Sequence, residues 1–210
     1  MPGRKPDPSV RSRILDAADR LMVRTGYQKM TIDAVAAEAS IGKGSVYLHF
    51  DSKEEVALSC LDRMVDELLE QLRELATDSR PVPERLRAML CLRVLHRFDY
   101  ARKHAHSIDQ KLASMRAAML ERRARHFRLE AEVFGPLLVR TADPEATAEA
   151  LITGTNALLP YSLSVRELGR RTDLLRRTEQ VVRLLVAGVP FLSQRPSPSR
   201  RHTRPQRRTP

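Results

Sequence analysis

Residues 31–55 read TIDAVAAEASIGKGSVYLHFDSKEE, and the fold is decided by how this stretch divides. Ile32, Val35, Ala36 and Ala39 fall at i, i+3, i+4 and i+7, so they share one face of a short helix. Thr31 precedes it in the N-cap position, where a hydroxyl accepts a bond from a free backbone amide. Asp33 in the first turn suits the positive end of the helix dipole. Ser40-Ile41-Gly42 then breaks the helix, with Gly42 expected to take backbone angles closed to a branched residue. A second short helix is expected from Lys43 to Phe50. Val46 and Phe50, four residues apart, point together onto the first helix, each contributing roughly 1.5 to 3 kcal/mol if fully buried.

The outward side of that second helix carries the chemistry. Gly44, Ser45, Tyr47 and Leu48 project away from the packed face, flanked by Lys43 and His49. Small donors, a phenol, an imidazole and a cation suit phosphate oxygens and base edges in a DNA major groove, which is wide enough to admit a helix. The run GKGSVYLHFDSKEEV, residues 42–56, resembles the signature of the TetR/AcrR repressors. That resemblance implies a helix-turn-helix in which Thr31 meets a phosphate at the start of the first helix. It places Lys43, Gly44, Ser45, Tyr47 and His49 on the recognition helix, with Lys53 as a further phosphate contact. Two positions depart from the family pattern: Gly42 replaces the usual serine, removing a hydroxyl, and Val56 replaces leucine. The alternative is a helical hairpin inside an unrelated all-α protein.

The composition is compatible with this reading. The chain has 210 residues, 42% of them hydrophobic but only 4% aromatic, and Ala and Leu fill the apolar positions, which favours helices over sheet. No apolar run approaches the roughly 18 residues that span a bilayer, and the start of the chain lacks a signal-peptide core, so a soluble cytoplasmic protein is expected. Cys60 and Cys91 fit no metal-ligand spacing and read as small packing residues. The net charge of +11 is a weaker signal than it looks, because the acid-free tail from Arg195 onward supplies six of it. Residues 1–50 carry only +3. The motif, more than the global charge, points to DNA.

Taken in order, residues 1–8 read as a flexible arm, residues 9–52 as a helix-turn-helix DNA-binding domain, 53–193 as an effector-binding and dimerisation domain, and 194–210 as a disordered basic tail. From Ser9 a helix carrying Val10, Ile14, Ala17, Ala18 and Leu21 on one face, closed by Thr25-Gly26, completes a three-helix head. Ser52-Lys53-Glu54-Glu55 reads as a capping box, with Glu55 reaching back to the cap. The long helix that follows carries Leu58, Leu61, Val65, Leu68, Leu72 and Leu75 in one stripe and is the natural lever between head and body.

Residues 86–98, LRAMLCLRVLHRF, read as a central buried helix. His96, Asp99, Tyr100, His104 and His106 gather near its end but match no zinc spacing, so no metal and no cofactor are expected. A short helix is expected from Ile108. Leu120, Ala124, Phe127, Ala131 and Phe134 then step by four and three as an inward face, with Arg122, Arg123, Arg125 and Arg128 mostly on the other sides and Glu121 placed to pair with Arg125. Asp143-Pro144 starts a helix rich in small residues that Pro160 should kink, and a broad apolar stripe from Leu174 to Val189 marks the last helix. The family resemblance implies that these last two long helices form a four-helix bundle with a second subunit.

The chain is therefore expected to be all-α, with about nine helices: a ligand-responsive, sequence-specific, homodimeric transcriptional regulator, most simply a repressor. It would bind a roughly palindromic double-stranded operator and an unidentified small-molecule effector, with Tyr100, Phe127, Phe134 and Asn156 as pocket candidates. Two rival readings are a non-specific architectural DNA binder driven by the Arg tail and a helical enzyme. No nucleophile with a base, HExxH motif or phosphate-cradling Gly loop supports the latter.

Overall fold

Asp7 caps the first helix by accepting the Ser9 amide at 2.9 Å, and Pro8 opens α1 (Pro8–Thr25), one residue earlier than the sequence pattern indicates. The helix stops where Gly26 takes φ 82, in the left-handed region, and donates its amide to the Met22 carbonyl. The computed structural model describes residues 7–105, 116–159 and 167–192. Among them follow α2 (Ile32–Glu38), α3 (Lys43–Tyr47), α4 (Lys53–Ala76), α5 (Val82–Lys103), α6 (Arg116–Phe134), a 3-10 turn (Gly135–Leu137), α7 (Pro144–Asn156) and α8 (Arg171–Leu192). The described residues are all-α, with eight α-helices and no strand. The helix expected from Ile108, His106, Pro160 and its kink, the arm up to residue 6 and the basic tail lie outside the described residues.

Three apolar clusters organise the packing. The first joins Ile14, Ala17, Ala18 and Leu21 of α1 to Ile32, Val35 and Ala36 of α2, to Val46 and Phe50, and to Val56, Ala57 and Leu58 at the start of α4. Because α4 contributes to this cluster with its first turns and to the second with Val65, Leu68, Leu69 and Leu72, it runs as one rigid element from head to body. The second cluster adds Leu86, Met89 and Leu90 of α5, Phe134 and Leu138, Ala148, Leu151 and Ile152 of α7, and Val182 and Val186 of α8. The third lies at the other end of α5, around Val94, Phe98 and Leu174.

Four local expectations are corrected. Glu55 does not close the capping box: Ser52 accepts the Glu55 amide at 3.1 Å, but the Glu55 carboxylate accepts instead from Ser59 and Arg122. Arg122 is thereby drawn across to α4, where it also pairs with Asp62, and no Glu121–Arg125 ion pair forms among the described residues. Leu120 is 51% exposed rather than inward. Its helix starts alongside the head, where Ala118 and Met119 take the packed positions, and the expected inward face is realised only further along, at Ala131 and Phe134. The fourth correction concerns the break between α2 and α3.

Candidate nucleic-acid interface

Thr31 accepts the Ala34 amide at 3.1 Å and starts α2 as its N-cap. At the other end, the Ser40 amide donates to Ala37 O and the Ile41 amide to Ala36 O. These paired bonds make a Schellman ending, in which the residue after the cap must turn left-handed. That residue is Ser40, at φ 55. Gly42, expected to supply the unusual angles, is extended at φ −73 and ψ 147, and a Cβ there would meet nothing within 4 Å. It occupies the N-cap of α3 with no side-chain bond to the helix, so the missing hydroxyl leaves the cap bare.

The second helix is shorter than its pattern suggests. Regular α-helix ends at Tyr47, and Leu48 and His49 continue as a turn in which the His49 and Phe50 amides both donate to Val46 O at 3.0 Å. The turn still delivers both apolar anchors: Val46 is fully covered and Phe50 is 3% exposed. Driving these two residues into the head sets the rotation of α3. Tyr47 is left 49% exposed and Leu48 76%, Lys43 and Gly44 are exposed, and Ser45 and His49 are half-buried beside them. No Cβ on Gly44 would meet anything within 4 Å, so the surface there is open to close approach.

Charges around α3 are held by the protein itself. Lys43 Nζ lies 2.9 Å from Asp33 Oδ2, which holds the Lys43 ammonium above its usual range. Lys53 sits over the Tyr27 ring, 4.5 Å from its centre, and donates to Gln28 O at 3.3 Å. Tyr27 donates in turn to Glu54 at 2.9 Å; burial and this acidic partner push the phenol well above its usual range. Arg11 lies over Phe50, 5.1 Å from the ring centre, which brings a cation of α1 beside the foot of α3. The structure thus puts Thr31 at the cap of α2, Lys43, Gly44, Ser45 and Tyr47 on α3 and His49 in the turn that follows, and anchors Lys53 against the Tyr27 ring. Sequence periodicity missed Asp33 and Tyr27 as the partners of the two lysines, because side chains 10 and 26 positions apart meet only through the turn geometry.

The four body candidates do not form one site. Asn156 accepts from Arg93 and Arg97, each at 2.8 Å, and Phe127 lies under Arg93 and Arg123. These two candidates therefore meet around Arg93, which is itself fully buried and paired with buried Glu130. Phe134 has no exposed surface and belongs to the second cluster. Tyr100 stands elsewhere, stacked on His104 at 4.0 Å where α5 meets α1. Arg93 was readable as the one charged residue at the centre of an apolar run, but its partner Glu130 was not.

The remaining members of the histidine group are dispersed. His96 bonds to Met64 O at 3.2 Å, and Asp99 pairs with Arg171. Among the described residues no three His, Cys, Asp or Glu are placed to hold a metal ion.

Residues 14–60 match the family described as bacterial regulatory proteins, tetR family. The chain is 35% identical over 85 residues to the HTH-type transcriptional activator FasR of Mycolicibacterium smegmatis, covering 40% of this chain and 39% of that protein. It is 37% identical over 79 residues to the HTH-type transcriptional repressor KstR2 of Rhodococcus jostii, covering 36% and 39%. These matches span well under half of the relatives' length. Over a larger span the fold is similar to that of the transcriptional regulator FadR from Bacillus subtilis in complex with stearoyl-CoA. There the TM-score is 0.58 at 17% identity, covering 84% of this chain and 98% of that one.

Proposed function

We propose, on the premise that this chain belongs to the TetR/AcrR family of bacterial regulatory proteins, that it is a ligand-responsive, sequence-specific DNA-binding transcriptional regulator, acting most simply as a repressor. The observation that carries this reading is the rotation of α3: Val46 and Phe50 are buried while Lys43, Gly44 and Tyr47 are exposed, with half-buried Ser45 beside them. A helix with that polar inventory fits a major groove. Residues 9–52 are the DNA-binding head, with Thr31 and Lys53 meeting phosphates and Lys43, Gly44, Ser45, Tyr47 and His49 presented by the recognition segment.

The body, residues 53–193, holds the effector and the second subunit. Support for a dimer comes from α7 and α8, each of which carries a strip of small or apolar residues among its exposed positions. Ala146, Ala150, Thr153 and Ala157 lie exposed along α7, and Leu184, 74% exposed, stands with Ala187 and Gly188 on α8. Small residues let helices approach closely, and two such pairs make a four-helix bundle that spaces two heads for a roughly palindromic operator. The effector is a small molecule that favours one head spacing over another by its difference in affinity between the two states. Phe127 and Asn156, which converge on Arg93, are the pocket residues this arrangement favours. Tyr100 would serve from the α1 junction, and Phe134 only if the core opened. No helix among the described residues is long and apolar enough to cross a membrane, in keeping with a regulator that works beside cytoplasmic DNA.

The test is selection of a binding sequence from random duplexes, followed by footprinting and competition with unrelated DNA. The proposal expects a two-fold-related footprint that Tyr47→Ala abolishes. Sequence-independent binding that survives Tyr47→Ala would replace it with the architectural reading.

A further inference from the structure

Among the described residues, a buried histidine between α1 and α5 makes a contact that DNA recognition does not use. His104 caps α5 and is 3% exposed. Its Nδ1 lies 2.9 Å from Tyr100 O and its Nε2 lies 2.7 Å from Asp19 Oδ1. A backbone carbonyl and a carboxylate are both acceptors only, so both ring nitrogens must donate, and only the imidazolium carries two N–H groups. The carboxylate is held in its charged form: Lys103 occupies its other oxygen at 2.6 Å. Burial opposes the Asp19 charge, but the bonds and charges of His104 and Lys103 outweigh it and hold the pKa at about 2.

The position of this pair gives it consequence. Asp19 belongs to α1, the first helix of the head, and His104 ends α5, a helix of the body. We infer that Asp19 and His104 form a proton-dependent latch, closed when His104 is doubly protonated, through which α5 grips α1. Loss of one proton leaves a ring lone pair facing either the Tyr100 carbonyl or the Asp19 carboxylate, and the grip weakens. Raising the pH removes one of the two ring protons that these acceptors need. Among the described residues, the other charged and titratable groups around the latch are Lys103 and Tyr100 of α5, Asp16 of α1, and Cys60, Arg63 and Glu67 of α4. Asp16 already pairs with Arg63, and burial pushes the Cys60 thiol up to about 12. The latch gives the body a further hold on the head, beside α4 and the start of α6. Its effect on DNA rests on the regulator reading, whereas its existence does not.

Hydrogen exchange of the full chain tests it, with the α1 amides around Asp16 to Met22 followed at pH 6 and pH 8.5 after correction for intrinsic chemistry. The expected result is a fall in α1 protection by about tenfold or more at the higher pH. That fall should be absent in His104→Gln, which is poorly protected at both, and unchanged in His96→Gln, whose ring bonds only Met64 O. Equal protection at both pH values in the wild type, or the same fall in His104→Gln, would overturn the latch. Should the His104→Gln protein not fold, ring nitrogen NMR of the wild type at pH 6 decides: two protonated nitrogens on His104 support the latch, one overturns it. A selected operator then reads its effect on DNA, as a pH dependence of Kd that vanishes in His104→Gln. If Tyr47→Ala shows that the head does not recognise sequence, the exchange and NMR results still stand or fall by themselves.

Discussion

Lys43 Nζ and Asp33 Oδ2 lie 2.9 Å apart, so the cation at the start of the outward-facing helix is tied to the first turn of the helix before it. Both side chains are exposed, where such pairs contribute little to stability. The consequence is for DNA: a phosphate must compete with Asp33 for this ammonium. Asp33→Asn should therefore tighten binding to any duplex by about threefold to tenfold at low salt, and Lys43→Ala should weaken it uniformly and reduce the salt slope by about one. Fluorescence anisotropy at about 50 and about 200 mM salt measures both.

The α2–α3 turn predicts two opposite-looking substitutions with the same sign. Gly42→Ser adds a capping hydroxyl at an extended position with open space around it, and should stabilise the protein by a few tenths of a kcal/mol. Ser40→Gly relieves the left-handed backbone at φ 55 and should add about 0.5 to 1 kcal/mol after the entropy cost of glycine. Urea unfolding midpoints check both.

In the body, Arg93 and Glu130 form a buried pair, with Arg93 also donating to Thr155 at 3.1 Å and Asn156 at 2.8 Å. Removing one partner strands a charge: Glu130→Ala should cost about 3 to 5 kcal/mol. The double replacement Arg93→Met with Glu130→Leu should recover most of it, because two apolar side chains leave no stranded charge. Thermal and chemical unfolding of the three proteins measures the difference.

Acid stability follows from Asp19. Its carboxyl is lowered from 3.8 to about 2, so folding favours the ionised form. While His104 keeps both protons, the resulting stabilisation, on the order of 2 kcal/mol, is present above the ordinary carboxylate range and is lost as pH falls from about 4 towards 2. Asp62 adds to the same window: burial opposes its charge, but His126 and Arg122 hold it lowered. Asp19→Asn should be less stable than wild type at pH 6 and should flatten the acid limb of unfolding followed by circular dichroism.

The exposed Leu184 on α8 predicts the assembly. Leu184→Glu should leave the helical content intact, shift the mass measured by light scattering from dimer to monomer, and weaken operator binding by about tenfold or more, since two linked heads gain from effective concentration. A wild-type protein that is monomeric at micromolar concentration would remove the two-fold operator from the proposal.

Local pattern was sufficient for some of these features. The face of α2, the caps at Thr31, Ser52 and Asp143, and the burial of Val46 and Phe50 with Tyr47 outside all rest on residues three to four positions apart, where helical geometry itself makes the neighbours. That is why the head and its outward surface could be read from 25 residues. Ser40 rather than Gly42 took the left-handed angle because the Schellman bonds choose the residue by its place after the helix end, not by its freedom. Lys53 turning to Tyr27, Arg93 to Glu130 and His104 to Asp19 were decided only when the helices packed. Their partners lie 26, 37 and 85 positions away, and periodicity along one helix carries no information about which side chain another helix will set against it.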